Sequence, residues 1–297
     1  MENNMGRPGI SKLSLPPKKY DPQYRTTRPD GVIEFETVEK ACAEDEHRIE
    51  QLRKAARDHP DIIDPDSALK LARKLKKALW EDEPTPTPAS RFYMRGMRRR
   101  IVGALWALQD DPRRAPVTTA HILPTGWIIP ANDLMLVEPK KLLERLRKDL
   151  NDMGAAYADG FLFAGLHGEY NPGDGCFHLH VHCLVSKGMI DVVGCLRNLE
   201  NERLQKLSDP NLTRPPVRIR KRPLHNLPEP ISYCCQSYWP VKTFQDAETG
   251  KGKRGPRHRI PEPYHSLYLI WLDQWRLEQL MLLIKLGVSS GELKASE

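Results

Sequence analysis

The chain has 297 residues, of which 29% are charged and 39% hydrophobic, and carries a formal net charge of +7. That length accommodates a core domain with extensions, and the positive balance favours a polyanionic partner, nucleic acid ahead of a membrane surface. The six cysteines form neither a CxxC pair nor a secreted framework, no signal-peptide pattern opens the chain, and no apolar run is long enough for a bilayer. A zinc ribbon, a disulfide scaffold and a membrane protein are therefore excluded, and a cytoplasmic location is expected.

Residues 1–35, dense in Pro, Gly, Lys and Arg, read as a flexible basic tail. Residues 36–110 read as a helical extension. Val38, Cys42, Ile49, Leu52 and Ala56 recur at helical spacing, and Ser67 is placed to cap a second helix bearing Leu71, Leu75 and Leu79. A proline-rich break falls near 82–90. A third helix is predicted from Arg91 to Leu108, whose Arg95, Arg98, Arg99 and Arg100 either meet phosphates or form a solvated basic face.

Residues 111–245 carry the core. Val117 to Pro124 reads as a strand, Pro139 to Met153 as a helix with Gly154 past its end, and Phe161 to Tyr170 as a second strand. Asn171-Pro172-Gly173-Asp174-Gly175 is dense turn chemistry, so the strand that follows makes a hairpin with the one before. Asp191 is placed to cap a helix. Val217 to Arg222 alternates apolar and basic residues, as a half-buried strand would, and Arg218, Arg220, Lys221 and Arg222 are its candidate DNA contacts, with a charged, solvated edge strand as the alternative. Residues 246–297 are expected to form a mobile basic loop (Lys251 to Arg259) and a final helix, Ser266 to Leu286.

The run Cys176-Phe177-His178-Leu179-His180-Val181-His182-Cys183 dominates the chemistry. Its three histidines alternate with apolar residues, so all three imidazoles share one strand face, close enough to hold a cation. A turn centred at Gly173–Asp174 sets His180 opposite His167 and His178 opposite Glu169. Either His167 or Glu169 could then complete a three-ligand site with His180 and His182.

In order and without a gap, His167, Tyr170-Asn171, Gly175, Phe177 and His178-Leu179-His180-Val181-His182-Cys183-Leu184 resemble the metal-strand motif of the HUH endonucleases, most of all the rolling-circle replication initiators of small plasmids. The resemblance covers about residues 116–240. Val117 to Pro124 looks like a degenerate form of the family's first motif. The resemblance makes His180 and His182 the HUH pair, with His167 where the initiators commonly carry Glu. It also implies a helix bearing a nucleophilic tyrosine downstream, for which Tyr233 is preferred over Tyr238; Gln236 stands where lysine is common.

The implied fold is α+β, an antiparallel HUH core with packed helices. The implied activity is metal-assisted (Mn²⁺ or Mg²⁺) nicking and rejoining of single-stranded DNA at a replication origin. It proceeds through a 5′-phosphotyrosine and frees a 3′-OH for rolling-circle replication. No GxxxxGK[ST] occurs, so helicase and polymerase would come from the host. A single-strand transposase, a mobilisation relaxase and an inactive DNA-binding regulator are the alternatives.

Overall fold

The computed structural model describes residues 9–24, 35–207, 215–236, 238–241 and 258–296. Half of the expected basic tail and most of the basic loop lie outside these residues, but residues 9–24 are not a flexible tail: they form three short 3₁₀ turns and bury Ile10 and Leu13 in the core, because those apolar side chains have a cluster to pack into. The first helix, α1 (Val38–Asp58), starts where Thr37 Oγ1 accepts the Lys40 amide at 3.2 Å. The second, α2 (Pro65–Glu81), is capped by Asp64 and not by Ser67. The Asp64 carboxylate accepts the Ser67 amide at 3.0 Å, and Pro65 takes the first helical position, where no N–H is needed. Left-handed Asp82 ends α2 ahead of the proline break. The third helix, α3 (Arg91–Asp110), is capped by Ser90.

The arginines of α3 neither form a solvated face nor stand free for phosphates. Arg91 Nε pairs with Glu36 at 2.5 Å, Arg95 Nε donates to the Glu36 carbonyl at 2.7 Å, and Arg98 Nε to the Cys235 carbonyl at 2.8 Å. Arg99 grips the buried Asp21 carboxylate through two nitrogens, and Arg100 donates to the Leu13 carbonyl at 2.6 Å. Planar, multi-donor guanidinium groups let one helix tie three separate chain segments to itself.

The core elements follow as β1 (Val117–Ile122), β2 (Ile128–Pro130), α4 (Pro139–Asp152), β3 (Leu162–Asn171), β4 (Cys176–Ser186), α5 (Met189–Leu207), β5 (Val217–Ile219), α6 (Glu229–Ser232), α7 (Tyr264–Asp273) and β6 (Met281–Ile284). The strands form one antiparallel sheet in the order β5-β1-β4-β3-β6, with the short β2 also on β4. This is an α+β arrangement. The β3–β4 hairpin has the predicted register, His167 opposite His180 and Glu169 opposite His178. Turn chemistry fixes it: Asn171 Oδ1 accepts the Gly173 amide, Asp174 Oδ1 accepts the Cys176 amide, and Gly175 takes the left-handed φ of +68°.

Both faces of the sheet are covered. On one, Leu162, Ala164, Leu179, Val181 and Cys183 share an apolar cluster with Leu146 and Leu150 of α4, Val193 and Leu196 of α5, and residues of α1, α2 and α7. On the other, Phe163 and Leu184 pack with Met97, Ile101 and Leu105 of α3. The alternation of β4 places its histidines on this second face.

The C-terminal region departs from expectation. Helix α7 stops at Asp273, and Met281–Ile284 is instead a strand on the β3 edge, followed by a hairpin of β7 (Leu286–Ser289) and β8 (Glu292–Ala295). A short, wholly buried apolar run satisfies a helix or an inner strand equally well by pattern. The unpaired N–H and C=O groups of Leu162–Gly165 decide it, because they need partners. Among the described residues no helix is long and apolar enough to cross a membrane.

Candidate metal centre and tyrosine cleft

One row of the sheet builds the site. Arg218 of β5 lies opposite His121 of β1, His121 opposite His182 of β4, His182 opposite Gly165 of β3, and Gly165 opposite Met281 of β6. Opposed residues in an antiparallel sheet share a face, so His121 and His182 meet side by side, and His180, two residues along β4, joins them. The ring centroids stand 4.7 Å apart for His121–His180, 4.9 Å for His121–His182 and 5.0 Å for His180–His182. One nitrogen from each of the three lies within 4.8 Å of the others.

The donor set suits a cation. The His178 carbonyl can only accept, so the His180 Nδ1 at 3.1 Å from it carries the proton, and Nε2 keeps its lone pair. Burial lowers the His180 pKa, outweighing nearby Glu169, which holds the ring neutral as a ligand must be. Three neutral imidazoles favour a transition metal over Mg²⁺. They could hold such an ion and leave coordination positions open toward the cleft beside them.

His121 is the member that the sequence reading missed. Its strand was recognised, but β1 and β4 are not consecutive, and no turn fixes their register. His167 is close by, with its ring centroid 5.0 Å from His182 and 6.0 Å from His180. It is buried, and its Nε2 accepts the Gln236 amide at 3.3 Å. Burial first, then the neighbouring His180, His121 and Arg98, push its pKa well below the usual imidazole range. Glu169 is opposite His178 in the hairpin. His178 itself is drawn to the turn, where its Nε2 meets Asp174 at 2.7 Å.

A cleft of about 520 Å³ opens over the cluster, lined by Thr119, His121, His182, Arg218, Arg220 and Tyr233 among others. The Tyr233 ring centroid is 6.1 Å from that of His182. Tyr233 opens a single 3₁₀ turn, Tyr233–Cys235, that follows the four-residue α6, so the expected tyrosine helix is only a stub. Gly165 explains how the turn comes so near. The Cys234 carbonyl oxygen rests where a Cβ on residue 165 would be, so any side chain there would collide with it.

Tyr238 does not line this cleft. It borders a second cavity of about 280 Å³ with Glu44, Arg91, Arg259 and His265, its ring 5.9 Å from the Arg91 guanidinium carbon. Of the basic strand, Arg218 and Arg220 line the histidine cleft, whereas Lys221 and Arg222 are exposed beyond the end of β5. His225, not singled out by sequence, adds to the cleft wall and lies 3.2 Å from Arg220 Nη2 through its Nδ1.

The arrangement therefore brings a phenol, two guanidinium groups and two members of a three-histidine cluster to one cleft of an antiparallel sheet. No family model, no curated protein and no solved structure matches this chain.

Proposed function

We propose that the chain is an HUH-type endonuclease that nicks and rejoins single-stranded DNA with Tyr233 as its covalent nucleophile. One observation carries the reading: Tyr233, Arg218, Arg220 and two of the three clustered histidines, His121 and His182, line the same cleft, with His180 buried beside them. The motif order quoted above agrees with it. Arg218 and Arg220 supply charge-assisted hydrogen bonds to backbone phosphates on either side of the cut. A divalent cation bound by His121, His180 and His182 would polarise a phosphate oxygen. The Tyr233 Oη forms a bond to phosphorus as the P–O3′ bond breaks. The phenolic proton is released, and the 3′-oxygen takes one up. Electrons and charge balance, and the phosphotyrosine ester keeps the energy needed for rejoining.

The freed 3′-OH would prime rolling-circle replication with a host polymerase and helicase, which makes a plasmid replication initiator the reading of choice. A transposase or relaxase would use the same chemistry. The test is incubation of the protein with Mn²⁺ and labelled single-stranded DNA, followed by denaturing electrophoresis. An adduct that survives denaturation and disappears in Tyr233→Phe supports the proposal. An adduct that persists there and disappears in Tyr238→Phe moves the nucleophile. Tight binding without cleavage would point to a DNA-binding regulator instead.

A further inference from the structure

The turn that carries Tyr233 is held at three successive residues, by the sheet and by α3. The Cys234 carbonyl lies on Gly165. The Cys235 carbonyl accepts from Arg98 Nε at 2.8 Å, and the Gln236 amide donates to His167 Nε2 at 3.3 Å. Arg98 comes from α3, outside the nuclease sheet, and His167 from β3 beside the metal cluster. His167 also engages the Cys234 backbone. These contacts meet consecutive backbone groups directly after Tyr233, so they set the height and orientation at which its ring stands over the histidines.

We propose that His167 is a positioning residue for the tyrosine turn and not a ligand of the metal, and that Arg98 completes the clamp from the other side. The proposal rests on the nicking reading given above. Its physical basis is the single lone pair of a neutral imidazole. While His167 Nε2 accepts the Gln236 amide, that lone pair cannot also bind a cation. The tight cluster of three ring nitrogens is already complete with His121. The hairpin neighbour that looks like a ligand by register thus serves the nucleophile, and a histidine from the far side of β4 takes the ligand role. Arg98 and His167 approach the turn from different elements, so neither alone fixes both the position and the tilt of Tyr233.

The two roles separate experimentally through His167→Gln and His167→Leu in the full chain. Glutamine places an oxygen near the former Nε2 and can accept the Gln236 amide, but it is a poor ligand for a transition metal; leucine can do neither. Mn²⁺ affinity, measured without DNA by the electron-spin signal of free Mn²⁺, should stay within about threefold of the parent in both variants. In His121→Ala it should fall by more than about tenfold. The single-turnover rate of adduct formation should fall about 100-fold in His167→Leu with the half-saturating DNA concentration unchanged. His167→Gln should recover at least tenfold of that loss. Arg98→Met, which has no donor, should show the same loss of rate without loss of metal.

If both His167 variants lose Mn²⁺ as severely as His121→Ala, the residue is a ligand and the proposal fails. It also fails if His167→Leu forms adduct at the parent rate. Should leucine prevent folding, His167→Gln and Arg98→Met still decide between the roles. Absence of any adduct from the parent protein would overturn the nicking reading, while the Mn²⁺ titrations would still report whether His167 is a ligand.

Discussion

Gly165→Ala adds one methyl group where the Cys234 carbonyl oxygen rests on the sheet. The new Cβ would stand 2.0 Å from that oxygen, and a carbon and a carbonyl oxygen settle about 3.3–3.6 Å apart, so the Tyr233–Cys235 turn must lift by about 1.3–1.6 Å to make room. Tyr233 precedes the displaced carbonyl by one residue and moves with it, whereas His121, His180 and His182 sit on strands that the substitution leaves alone. A displacement of about 1 Å at a reacting group costs on the order of 100-fold, or about 2.7 kcal/mol of barrier. The stability cost is smaller: overpacking of about 1–3 kcal/mol, offset by about 0.4–1 kcal/mol from the stiffer unfolded chain. Adduct formation should therefore drop about 100-fold while Mn²⁺ affinity stays close to the parent's and the urea midpoint falls only by what a loss of at most about 1–3 kcal/mol produces. Timed adduct assays alongside metal titration and urea unfolding measure all three. Adduct formation by Gly165→Ala at the parent rate would show that the turn is not seated as described or that Tyr233 is not the nucleophile.

Three further outcomes are expected. His121→Ala should lose most Mn²⁺ binding and with it the rise in melting temperature that Mn²⁺ gives the parent, whereas His178→Ala, whose ring is held by Asp174, should keep both; the parent should bind Mn²⁺ at least about tenfold more tightly than Mg²⁺ by calorimetry. Arg99→Met leaves the 1%-exposed Asp21 carboxylate without its charge partner and should cost about 3 kcal/mol in urea unfolding, most of it recovered when Asp21→Leu is added. The pKa of His265 is lowered, chiefly by burial and secondarily by Arg48 and Arg259, against the opposing pull of Glu262. The unfolded chain thus binds this proton more readily than the folded one, so its contribution to stability is present above pH about 6.5 and declines as the pH falls below that, by up to about 1.4 kcal/mol per pH unit. His265→Gln should flatten that slope, by at most one proton, in urea titrations below about pH 6.5, and an unchanged slope would refute the assignment.

What could be read from the sequence depended on how local its cause was. The β3–β4 register followed from five turn residues and two alternating strands, because a tight turn leaves the chain little choice. His121 was hidden because its pairing with His182 bridges non-consecutive strands, and moving β1 by two residues keeps the same face pattern while bringing a different side chain into the row. The α3 arginines read equally as phosphate ligands or as a solvated face, because composition cannot show the carbonyls and carboxylates that tertiary contacts bring to them. Leu280 to Ile284 fitted a helix until the β3 edge claimed it. Gly165 gave no signal of its own. Its role exists only in relation to a carbonyl nearly seventy residues downstream.

The lateness of β6 has a consequence for the chain as it is made. The β3 edge at Leu162–Gly165 is completed by residues synthesised roughly 120 positions later. At translation rates of about 5–20 residues per second, that edge waits roughly 6–24 s beyond its own synthesis before its partner exists. During that interval the histidine-bearing sheet presents an open apolar border to neighbouring nascent chains, the geometry most prone to cross-pairing. Ribosomes crowded on one message would expose many such borders at once. The yield of active protein should then depend on how closely ribosomes follow one another, and slower initiation should favour folding over aggregation.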